Sequence, residues 1–171
     1  MTPASKIRSH EAGHAAGLIW NGHLPRIVRA DHSGPEDYNG AVHPDLGDGI
    51  DRDLAGDLML SVLLGGMCEG DGSWPPLWSE LDHGRLKFKV ATGDALALVR
   101  LVEYLDMDED GYDAMVGIAL HVRDDANFKA IHALIADALD RAPFITGPQL
   151  RTLLGPELVA SYELETAKEA A

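Results

Sequence analysis

His10, Glu11 and His14 are the residues of this chain best placed to do chemistry, because together they spell H-E-x-x-H. On a helix, positions four apart share one face a single turn from each other, so two imidazoles can meet one metal ion there. Zinc suits that pair: it takes nitrogen and oxygen ligands tetrahedrally, and a catalytic site uses three protein ligands and leaves the fourth position to water. The ion acidifies that water towards a pKa of roughly 7, and Glu11 stands beside the histidines as a general base. This is the chemistry of metal-assisted peptide hydrolysis. With eight His and ten Glu in 171 residues, chance supplies roughly 0.02 such motifs. Gly13 and Gly17 share the same helix, and each costs about 1 kcal/mol relative to alanine, which points to close approach by another backbone.

The rest of the chain has to position these groups. Its length suits one domain with a sizeable core, and 46% hydrophobic with 25% charged residues is ordinary for a folded protein. A net charge of −14 argues against nucleic acid and anionic membranes as partners, since both reward Lys and Arg. Cys68 is the only cysteine, which excludes an intramolecular disulfide and cysteine-rich zinc frameworks. No leader pattern or membrane-length apolar run occurs, so a cytoplasmic setting is expected.

The pattern predicts a mainly α domain over 1–155 with a small β-hairpin and a C-terminal helical bundle, followed by a polar tail over 156–171. A metal helix spans 3–21, opened by Thr2-Pro3 and stopped by Asn21-Gly22. A hairpin of short strands lies within 24–43. It could serve as an edge for an extended peptide or simply as scaffold. Helices are expected over 52–66, 80–91, 95–105, 112–142 and 148–154, with Ser79-Glu80-Leu81-Asp82 as a capping box and Thr92-Gly93-Asp94 as a break. The 112–142 run is one helix or two, with a break near Asp124-Asp125. Trp74 and Trp78 are core anchors or part of a cleft, and the acids from Asp106 to Asp110 are solvated surface, without the spacing of a calcium loop.

Two histidines leave a catalytic zinc site one ligand short. A metzincin continuation needs histidine at position 20, where this chain has Trp20. A gluzincin needs a glutamate on a following helix, for which Glu69 is available. Asp57, His43 and His83 are further candidates.

Ser9-His10-Glu11-Ala12-Gly13-His14-Ala15 resembles the zinc motif of the peptidase domain in FtsH-type ATP-dependent metalloproteases. Leu63-Leu64-Gly65-Gly66 is similar to the end of that domain's second helix, and Glu80-Leu81-Asp82-His83 with Ala91-Thr92 to the segment bearing its third ligand. The resemblance spans about residues 5–155 and implies Asp82 as that ligand. It departs after the double glycine, where the family's arginine is Met67 and its acid three places on is Gly70, with Glu69 one place early. No G-x-x-x-x-G-K-[ST] ATPase motif and no membrane anchor occur, and nine residues precede His10. The expectation is therefore a stand-alone Zn²⁺ endopeptidase for short or unfolded peptides. His10, His14 and Asp82 would hold the metal and Glu11 would act as base. The resemblance implies a hexamer, and a separate ATPase partner is compatible with it. The alternative is a catalytically silent zinc-binding recognition module.

Overall fold

A computed structural model describes residues 3–32, 38–44, 49–69, 74–81 and 92–156. Helix α1 (Pro3–Trp20) carries the H-E-x-x-H motif and runs through the middle of the core. Its residues from 10 to 19 are all buried, including Ala12, Ala15, Ala16, Leu18 and Ile19. Such a helix must be covered on every side, and α2 (Arg52–Glu69), α5 (Ala126–Arg141) and a small sheet cover it. Gly22, at φ 82°, closes the helix: its N–H donates to the Ile19 carbonyl and that of His23 to Leu18.

The small residues of α1 explain how closely α2 lies. A Cβ on Gly13 would stand 2.8 Å from the Leu64 carbonyl oxygen, and one on Gly17 would stand 3.0 Å from Ser61 Cα. The two glycines therefore let the helix backbones meet, at a propensity cost that tertiary packing offsets.

The sheet has three antiparallel strands in the order β2 (Tyr38–His43), β1 (Ile27–His32), β3 (Phe144–Thr146). Ala41 pairs with Arg29 on one side of β1, and Phe144 pairs with Arg29 on the other. A hairpin was expected, but the third strand was not. β3 is three residues long and joins β1 from over a hundred residues away, so no local alternation announces it.

Helix α3 spans Thr92–Leu105, with Asp94 in its first turn. Thr92-Gly93-Asp94 therefore opens a helix, where the sequence suggested a break followed by a helix from 95. Residues 82–91, which hold the helix expected over 80–91, lie outside the described residues; Trp78–Glu80 before them forms one 3-10 turn. α4 (Glu109–Asp124) starts three residues before the expected 112. Asp108 caps it through the Gly111 N–H, so one member of the acidic turn has a structural task. Asp125 divides α4 from α5 by leaving the helical region and accepting the N–H groups of Asn127 and Phe128. Thr146 and Gln149 form the capping box of α6 (Gly147–Leu154). The result is a mainly helical domain with one small sheet. Among the described residues, no helix is long and apolar enough to cross a membrane.

Candidate metal centre

α1 brings His10 and His14 together as their spacing requires: their Nε2 atoms are 3.0 Å apart. The third member is Asp94, whose Oδ2 lies 2.7 Å from His10 Nε2 and 3.0 Å from His14 Nε2. These residues are buried or half-buried, and their donor atoms form one tight group able to hold a metal ion. Ligands about 2.0–2.2 Å from a tetrahedral zinc ion lie roughly 3.2–3.5 Å from one another, so a few tenths of an ångström of opening accommodates one.

Helix α2 orients the imidazoles through residues on one face. The Ser61 carbonyl is 2.9 Å from His14 Nδ1, and a carbonyl can only accept, so Nδ1 carries the proton. With Nδ1 held by that carbonyl, Nε2 is the ring nitrogen turned to the cluster, and it is the atom that would meet a metal. Nε2 lies 3.0 Å from the Asp94 carboxylate, a spacing that favours a proton or a cation between the two. One turn on, Gly65 leaves room for the ring, since a Cβ there would stand 2.3 Å from His14 Cε1. A further turn on, Glu69 Oε2 lies 3.5 Å from His10 Nδ1, an ion-pair contact too long for a hydrogen bond, and this buried nitrogen makes none with the described residues. Glu69 is thus an outer carboxylate beside a ligand. The Ser61 hydroxyl donates to the His14 carbonyl and the Ser9 hydroxyl to that of Cys68, tying the two helices at both ends of the site.

The charges of the metal-free site follow from this geometry. Burial disfavours a charged His10, but the Asp94 and Glu69 carboxylates outweigh it and raise its pKa to about 10. Burial likewise opposes ionised Asp94, yet His14 and His10 hold its carboxyl well below the usual range. The proton on His10 therefore occupies the place of a cation, and a metal must displace it. At pH 7 we expect metal uptake to release about one proton from His10. Calorimetric titration in buffers of different ionisation enthalpy measures this, and a heat independent of buffer contradicts it. Because the folded pKa lies above the ordinary 6.5, this proton stabilises the metal-free fold fully below about pH 6.5. That contribution disappears as pH rises through about 10.

Glu11 is 6% exposed. Burial raises its pKa, against the opposing pull of His14 and His10. Its carboxyl lies against β2, where a Cβ on Gly40 would fall 1.8 Å from Glu11 Oε1, so the strand needs glycine there. A cavity of about 310 Å³ opens beside Glu11, His14 and Asp94.

Asp82, the third ligand implied by resemblance, lies outside the described residues, as does His83. Asp57 pairs with His23 at 2.7 Å, and His43 ends β2; neither belongs to the metal group. Trp74 stacks over Gly66 and donates to the Leu63 carbonyl, while Trp78 packs near Tyr112. Both are scaffold, and neither lines the cavity. Asp94 escaped the sequence reading because Thr92-Gly93-Asp94 has the composition of a break. An acid in a first helical turn was its one signal. No family model, curated protein or solved structure matches this chain.

Proposed function

We propose that this chain is a zinc-dependent endopeptidase built on a zinc-peptidase fold, with His10, His14 and Asp94 as metal ligands and Glu11 as general base. The observation that carries this reading is the convergence of two imidazole Nε2 atoms and one carboxylate oxygen within 3.0 Å, beside a buried glutamate that makes none of those contacts. Zinc is favoured because two nitrogens and one oxygen suit its borderline softness and leave an open position. The resemblance of the motif to FtsH-type peptidases supports the same reaction class.

When bound, the ion supplies a Lewis acid that polarises the peptide carbonyl and acidifies water. Glu11 takes the proton of the attacking water and returns it to the leaving amine. Burial raises its pKa, which makes it a stronger base than a solvent-exposed carboxylate and helps both transfers. Ser61, through its carbonyl, and Gly65 keep His14 turned to the metal. Gly40 keeps β2 far enough away for the Glu11 carboxyl to stand beside the site.

The edge of β2 away from β1 pairs with no strand among the described residues, and it gives an extended substrate a place to lie. Arg26 and Ala30 bond towards β3 through the Gly147 and Pro143 backbones. Main-chain groups alternate along a strand, so Arg29 and its partner Ala41 face each other and those of Gly40 and Val42 point outward. The proposed substrates are short or unfolded peptides, whose extended backbone can lie along that strand. Incubating the zinc-loaded chain with casein tests this: cleavage that a chelator stops and zinc restores is expected. Chelator-insensitive cleavage, or none with zinc bound, contradicts it.

A further inference from the structure

The cavity beside Glu11, His14 and Asp94 changes character within a few residues. Its far wall is apolar: Leu18 from α1, Val42 from β2, Leu58 and Val62 from α2, and Ala97 from α3. Leu18 is buried and forms the floor, whereas the other four are half-buried. Three separate elements, β2, α2 and α3, thus leave apolar side chains partly uncovered around one space that ends at the metal group. Among the described residues, the charged side chains on its lining are Glu11 and Asp94, with His14 beside them. At about 310 Å³, it lies at the small end of ligand sites, which begin at roughly 300 Å³.

We infer that this cavity receives the substrate side chain adjoining the cleaved bond and limits substrates to peptides with an uncharged apolar residue, of leucine to phenylalanine size, at that position. The inference rests on the peptidase reading and adds a substrate class to it. Burying such a side chain against Leu58 and Val62 removes apolar surface from water on both partners. An aspartate or glutamate there would be desolvated beside the Glu11 and Asp94 carboxylates, with no Lys or Arg among the described lining residues to pair with it. A glycine or alanine would leave the walls unfilled, and in apolar pockets each missing methylene weakens recognition by about tenfold or more.

Two measurements separate failure of this inference from failure of the metal site. The first titrates zinc-loaded protein with short peptide hydroxamates that differ only in the side chain next to the chelating group. Leucine and phenylalanine are expected to bind at least about tenfold tighter than alanine, with aspartate weakest. Val62→Trp should bring leucine and alanine to within about twofold of each other by filling the cavity, with zinc content unchanged. Equal affinities across the series, or a leucine preference untouched by Val62→Trp, overturn the inference. The second uses the metal-free chain and follows the methyl signals of Leu18, Val42, Leu58 and Val62 by NMR. N-acetyl-leucine amide should shift them saturably and N-acetyl-aspartate amide should not, so a folded chain whose methyl signals do not respond overturns it even where no zinc is held.

Discussion

Glu11→Gln should lower peptide cleavage by about 10²–10⁴-fold, the usual worth of a positioned general base, while zinc remains bound. Glutamine preserves the shape of a side chain that lies against Gly40 but can no longer accept the proton. The prediction separates catalysis from metal binding because Glu11 makes none of the three contacts that join His10, His14 and Asp94. Removing its negative charge also relieves a buried group whose ionisation burial opposes, so the variant should melt no lower than the parent. Release of peptide products and metal content, measured on the same preparation, decide it. Cleavage unchanged by the substitution removes Glu11 from the mechanism. A parent chain that holds zinc but cleaves nothing favours the silent recognition module instead.

Asp94→Ala should cost even more at the level of the metal. Loss of an outer-sphere partner typically weakens a site by 10–100-fold, and loss of a direct ligand should exceed that range. The remaining imidazoles would face each other at 3.0 Å without a carboxylate to balance a divalent charge. Asp82→Ala is the informative companion, because resemblance implies Asp82 as the third ligand, whereas among the described residues Asp94 is the carboxylate grouped with His10 and His14. Competition with a chromogenic chelator should show more than about 100-fold weaker zinc binding for Asp94→Ala and near-parental binding for Asp82→Ala. The reverse order would return the ligand role to Asp82.

What could be read from sequence was local. Spacing alone places His10 and His14 on one face, and two otherwise costly glycines, Gly13 and Gly17, signal a close backbone approach, which the structure shows to be that of α2. The pairing of the metal helix with Asp94 spans 80 residues from His14, and no pattern in the chain records it. Capping chemistry, turn composition and ligand geometry all use acids near helix starts, so Asp82 and Asp94 look alike in the sequence. The contributions of Ser61 and Gly65 were hidden for a different reason: one acts through a carbonyl that every residue has, the other through an absent side chain. Gly40 belongs with them, since a glycine in a strand also reads as a turn signal. β3 was missed because three residues carry too little alternation to be told from a loop before α6.

The central claim is that this constellation holds a metal, and elemental analysis of the purified, dialysed chain tests it most directly. About one zinc per chain is expected, falling to background in His10→Ala. A folded parent chain that carries no metal after incubation with zinc and dialysis would contradict the account.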